Sequence, residues 1–209
     1  MQRQLPCVEL KVPDLNKTKS MQCRFLENNK LLCPGFEQNE EKKKRAVRFD
    51  LMLHAYMMVQ SGIPMLYSGD EIGQVNDYTY KNDPEKRVDS RYIHRGKFDW
   101  KLADGRKRKG TVQKELFDGI GKLRSIRSKE KVFDASANVW TLDTWENGIL
   151  GVVRELEGEQ MTALFNFAEE DRTAWIEEEG EYMDLYTGKK VSLQAIKMEG
   201  HSFVLAKKC

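Results

Sequence analysis

Gly62-Ile63-Pro64-Met65-Leu66-Tyr67-Ser68-Gly69-Asp70-Glu71-Ile72-Gly73 is a short apolar run that meets a glycine and then two acids. A parallel strand buried on both faces reads this way, and it delivers polar groups to the rim of a sheet or barrel. Asn76-Asp77-Tyr78, Asp89-Ser90-Arg91 and His94-Arg95 follow at close range. Upstream, Ala46, Phe49, Leu53, Tyr56 and Met57 recur at helical spacing between Asn39 and Gln60. The acids Glu40 and Glu41 suit the positive end of that helix, and Ser61-Gly62 ends it. Ile63–Tyr67 is then expected as the strand, and Gly69 to Lys109 as a long polar loop with at most one helical turn. Loops of this length inside compact domains tend to carry function. A second helix is expected over about Thr111 to Ser128, with Val112, Leu116, Ile120, Leu123 and Arg127 along one side.

Near Lys131 the period changes. Asn138–Asp143, Gly148–Leu156, Met161–Phe167, Thr173–Glu177, Glu181–Tyr186, Lys190–Leu193 and Ser202–Ala206 are short runs rich in β-branched and aromatic residues. Glu146-Asn147-Gly148 and Glu157-Gly158-Glu159 have the composition of tight hairpin turns. This half reads as an antiparallel sandwich of about seven strands. Residues 1–38 show neither period, and Pro6, Pro13, Pro34 and Asn28-Asn29 break any long element. Three regions are therefore expected: an irregular stretch over 1–38, an α/β segment over 39–131 and an all-β sandwich over 132–209.

Composition narrows the function classes. The 209 residues carry a net charge of only +2 with 33% charged side chains, which is not the footprint of a nucleic-acid binder. No apolar run approaches the roughly 20 residues that span a bilayer. Met1 to Leu10 is too polar for a secretory signal, whose apolar core needs about 7–15 residues. Cys7, Cys23, Cys33 and Cys209 form no C-x-x-C pair, so free thiols in a reducing cytoplasm are expected, with no zinc site or disulfide framework. Asp70, Asp77, Asp83 and Asp89 match no calcium-loop spacing, so neither a metal nor another cofactor is expected. The basic clusters Lys42–Arg45 and Arg106–Lys109 read as solvated surface. Trp140, Trp145 and Trp175 lie in or beside short strands, where core or sheet-edge positions are the common use and stacking on sugar faces the other.

The segment from Gly62 to Trp100 resembles the last barrel strand and following loop of the α-amylase superfamily of glycoside hydrolases, most closely its amylosucrase and sucrose hydrolase branch. The resemblance implies the last segment of a (β/α)8 barrel followed by a C-terminal β-sandwich, with the functional groups at the C-terminal ends of the strands. It implies that Asp70 and Glu71 support the barrel rim and are not catalytic. Arg95 opens Arg95-Gly96-Lys97-Phe98-Asp99-Trp100, and in the family such an arginine closes the floor of a glucosyl pocket. A rigid fork of donors suits a carboxylate and sugar hydroxyls together. His94 and Arg91 are implied to position it, with Asn76 and Asp77 on the acceptor side.

Retaining glycosidases need two carboxyl groups about 5–5.5 Å apart. The family draws its nucleophile, acid and His-Asp pair from earlier strands, and this chain has no His-Asp dipeptide. Arg48-Phe49-Asp50 imitates the nucleophile motif but falls inside the first helix. The resemblance thus implies a C-terminal fragment of an α-glucoside or sucrose-type hydrolase or glucosyltransferase, inactive alone, with self-association and a possible N-terminal barrel polypeptide as partners. The alternative is a non-catalytic carbohydrate-binding or stabilising sandwich that complements a separate catalytic chain.

Overall fold

Glu40 and Glu41 open helix α1 (Glu40–Val59), the first element of the computed structural model, which describes residues 40–209. The irregular stretch expected over 1–38, with three of the cysteines, lies outside these residues. Helix α1 is buried more widely than a single stripe allows. Ala46, Val47, Asp50, Met52, Leu53, His54, Ala55, Met58 and Val59 are all covered, while Phe49, Tyr56 and Met57 pack half-buried against the same core. The cause is its place between helix α3 (Val112–Lys129) and the sheet. Thr111 starts α3 by accepting the Lys114 N–H at 3.3 Å, and Leu116, Gly119, Ile120 and Leu123 form its inner face.

The expected loop is more structured than its composition indicates. It holds 3-10 turns at Asp70–Ile72, Tyr78–Asn82, Ser90–His94 and Asp104–Lys107, and the short helix α2 (Trp100–Ala103). Asp77, Asp89 and Asp99 each cap one of these through a side-chain oxygen, so the abundant aspartates set the turns.

Ile63–Tyr67 is not a strand, which corrects the expectation. A strand is held by ladder hydrogen bonds to a neighbour, and the eight strands of the described residues pair only among themselves, all antiparallel. The run is left uncovered: Ile63 is 88% and Met65 78% exposed, with Leu66 and Tyr67 also on the surface. Met58, by contrast, is in the core.

Strands β1 (Asn138–Leu142), β2 (Ile149–Leu156), β3 (Glu159–Asn166), β4 (Arg172–Ala174), β5 (Tyr182–Asp184), β6 (Lys190–Val191), β7 (Ile196–Met198) and β8 (Phe203–Lys208) follow. Seven match the expected runs, and β7 is an eighth that the sequence reading passed over. The main sheet has the order β1-β2-β3-β8-β5-β6, and β4 pairs with β7 separately. Leu156 faces Glu159 across a two-residue turn whose Glu157 and Gly158 have φ 54° and 83°, the left-handed pair that a tight hairpin requires.

Alternation along these strands builds two cores. Met161, Ala163, Phe165 and Leu205 face α1 and α3, whereas Leu164 and Ala206 face a second core with Ala174, Ile176, Leu193, Ile196 and Met198. Trp140, Trp145 and Trp175 belong to neither and stand exposed. Among the described residues no helix is long and apolar enough to cross a membrane, and no group of three His, Cys, Asp or Glu could hold a metal.

Candidate functional site

The apolar run ends in interlocked turns that fix the start of the loop. Gly69 has φ 102°, and a Cβ there would stand 2.9 Å from the Gln74 Cβ, so both conformation and space require glycine. Asp70 N–H donates to the Tyr67 carbonyl at 3.1 Å, and Asp70 Oδ2 accepts the Tyr67 N–H at 3.1 Å. Glu71 turns back on the same backbone, accepting the Gly69 N–H at 3.0 Å. Gln74 then staples the loop to its far end, donating to the Lys97 carbonyl at 3.0 Å and accepting the Asp99 N–H at 3.0 Å.

Between these staples the Asp77 N–H donates to the Ile93 carbonyl at 2.8 Å, drawing Asn76 and Asp77 against the Ser90–His94 turn. The buried Asn76 Oδ1 lies 3.0 Å from His94 Nδ1, and the Tyr67 ring stands edge-on to the His94 ring at 6.5 Å. Gly96 packs directly on Asp77, where a Cβ would lie 2.9 Å from the Asp77 Cβ. Hydrogen bonds from the Thr79 hydroxyl and backbone hold the Asp77 carboxyl below its ordinary range.

Asn76, Asp77 and His94 are thus brought together, while the two arginines stand outside them. Arg91 is spent on its own turn: Nε reaches both Asp89 oxygens at 2.8 and 3.0 Å, and Nη2 lies 2.8 Å from Oδ2. These bonds draw the Asp89 carboxyl down to about 2. Arg95 is exposed, its guanidinium 5.6 Å from the Tyr92 ring centroid, and among the described residues no carboxylate forms an ion pair with it.

Beneath the rim lies a buried group that the sequence reading missed. His54 is fully covered, with Nδ1 2.9 Å from the Asp50 carbonyl and 3.4 Å from Asp50 Oδ2. Burial pulls the His54 pKa down, but the Asp50 hydrogen bond and charge, with the Asp70 charge, outweigh it and the net shift is upward. Burial raises Asp70 to about 6, against the pull of the Tyr67 N–H and the His54 charge. The available signal was an acid and a histidine four residues apart on an otherwise apolar helix face.

No protein-family profile matches the sequence. Solved structures do match the fold. A maltogenic amylase from S. marinus superposes with a TM-score of 0.53 at 18% identity, covering 77% of this chain and 19% of that one. An Anoxybacillus α-amylase, described as pointing to a new glycosyl hydrolase subclass, gives 0.53 at 22% identity over 78% of this chain and 32% of its own. AmyP, solved with maltotriose bound, gives 0.62 at 14% identity over 78% and 35%. The fold is shared with α-amylase-type glycoside hydrolases. The antiparallel sheet corresponds to their C-terminal sheet domain, and the chain spans about a fifth to a third of their length.

Proposed function

We propose that this chain is the C-terminal part of an α-amylase-type enzyme of the cytoplasm that acts on an α-glucoside, amylosucrase-like in its loop, by a retaining mechanism. In this reading residues 40–129 complete a barrel and the loop after Tyr67 forms one wall of a sugar pocket. The observation that carries it is the Arg95 guanidinium. It is held at the surface over the Tyr92 ring, and among the described residues it forms no ion pair with a carboxylate. A fork of donors so placed suits a carboxylate and hydroxyls supplied from outside this loop. The exposed Ile63–Leu66 run supports the same reading, as the form a barrel strand takes without its neighbours. A shared fold does not carry activity by itself, so the chemistry must be tested at the site.

Alone, the chain should release no glucose or fructose from sucrose and no p-nitrophenol from its α-glucoside, because it lacks the paired carboxyl groups of that reaction. Expressed together with the polypeptide encoded immediately upstream, it should turn sucrose over. Arg95→Ala in that assembly should lower kcat/KM by roughly a hundredfold. Turnover by the chain alone that is lost on mutating one of its own residues overturns the reading, as does an assembled enzyme indifferent to Arg95.

A further inference from the structure

We infer that the sandwich carries a separate binding surface for a neutral glycan, laid across Trp145 and Trp175. The two indoles line an open groove of about 520 Å³ with Ile176, Glu177 and Gln194. Trp145 is 69% and Trp175 57% exposed, yet neither is loosely attached. The Trp175 N–H donates to the Thr144 carbonyl at 2.9 Å, so the two side chains leave adjoining stretches of backbone. Trp145 sits at φ 54°, an unusual conformation for a bulky residue, and Asp143 Oδ1 holds its N–H at 2.9 Å. The buried Thr144 beside it places its hydroxyl 2.8 Å from the Ile149 carbonyl. Ile176 is buried in the second core and forms the floor.

Two large aromatic faces are therefore held towards water by a built turn and contribute to neither core. Exposed apolar surface of this kind marks a contact site. The lining decides the chemistry of the occupant. Glu177 offers acceptors and Gln194 both donor and acceptors, while among the described residues the lining includes no cation. A phosphorylated or sulfated ligand would meet a carboxylate and no counter-charge. A purely apolar one would strip water from Glu177 and Gln194 without replacing it. A neutral pyranose chain meets both demands, with its axial C–H face on the indoles and its hydroxyls at the polar edge.

The groove adjoins the core on the side of the main sheet away from α1 and α3, since Ile176 packs with Leu164 and Ala206 whereas α1 packs with Phe165 and Leu205. It owes nothing to the loop around Arg95 and stands whether or not the chain belongs to a glucoside-processing enzyme.

The test titrates the full chain with maltoheptaose, cellohexaose and xylohexaose, read by tryptophan fluorescence and calorimetry. At least one should bind saturably. Trp145→Asn, which keeps a residue tolerant of the left-handed turn, and Trp175→Ser should each weaken that binding by roughly tenfold, with Trp145→Phe recovering part of it. Sulfated oligosaccharides should not compete. Absence of saturation with all three glycans in a chain of native circular dichroism overturns the inference. So does binding that survives both tryptophan variants, or that is lost in Arg95→Ala alone and so belongs to the loop. Self-association abolished by Trp145→Asn but insensitive to sugar would instead assign the groove to a second copy of the chain, and would also overturn it.

Discussion

Asp70 and His54 make the acid rim of the loop sensitive to pH. An acid whose folded pKa lies above its unfolded value holds more protons when folded, so stability falls as pH rises between the two values. For Asp70 that window runs from 3.8 to about 6. His54 acts in the same direction: with its folded pKa raised above 6.5, its contribution is full below 6.5 and is lost as pH climbs through the folded value. Asp89, drawn down to about 2 by Arg91, loses its contribution only at far lower pH, so the two effects separate. Thermal melts should therefore show the midpoint declining from about pH 4.5 to 8. Asp70→Asn should flatten the lower part of that decline and stabilise the chain at pH 7 by on the order of 2 kcal/mol. A wild-type midpoint that rises across this range would contradict the assignment. Beyond the Asp50–His54 pair the contacts were not legible locally: Asp70 lies sixteen positions beyond His54, and Asn76 and His94 are 18 apart. Residues that meet across turns leave no periodic trace, so Asp70, Asn76 and His94 rest on the motif and not on spacing, and His54 was missed. The aspartates that cap the turns, Asp77, Asp89 and Asp99, act within two or three residues and so were open to a local reading that the sequence reading did not make.

At the scale of elements, the helices and most strands were readable because one face of each is covered and the period records it. Helix α1 and α3 fall within a residue or so of the expected ends, and the Glu157-Gly158 turn is where its composition placed it. The run Ile63–Tyr67 failed for the converse reason: hydrophobicity shows that a segment wants burial, but a strand exists only with a partner. What satisfies the end of α1 was equally illegible. An α-helix leaves its last carbonyls without partners, and α1 has no basic residue in its last turn. Two arginines from elsewhere supply the donors. Arg127 of α3 bonds the Met58 carbonyl and reaches Gln60 O at 3.3 Å and Gly62 O at 2.7 Å. Arg154 of β2, fully buried, donates to Val132 O at 2.6 Å, Val59 O at 2.9 Å and Asp134 O at 3.0 Å. Burial pushes both guanidinium pKa values down, but not far enough to uncharge them. Arg154→Ala leaves buried carbonyls unmatched and opens a void, so it should destabilise by about 3 kcal/mol or more, and Arg127→Ala by about 1–2 kcal/mol because water can reach that site. Denaturant melts measure both, and amide exchange at residues 57–62 should accelerate in either variant. A loss below about 1 kcal/mol for Arg154→Ala would show that water replaces the fork and that the cap is incidental.

At the scale of the whole molecule, the change of period near Lys131 is not a change of core. Met52, Met58 and Leu123 share one cluster with Val152, Met161 and Phe165, so the helices and the sheet bury one another's apolar faces. This explains why α1 is covered almost all round while the run that follows it is bare. The sheet occupies the inner side of α1, α3 another, and Ile63 and Met65 are left largely uncovered, with Leu66 partly so. Consecutive exposed apolar residues beside unpaired backbone are a template for association between copies. The chain on its own should therefore self-associate through this run, and the modest net charge of +2 does little to oppose it. Light scattering over a dilution series should show mass falling with concentration. Ile63→Ser with Met65→Ser should shift the chain to monomer without changing its melting midpoint, since neither side chain packs in the folded protein. Association that persists in this double variant and disappears in Trp145→Asn would move the contact to the sandwich groove. A monodisperse wild-type monomer at high concentration would overturn the prediction.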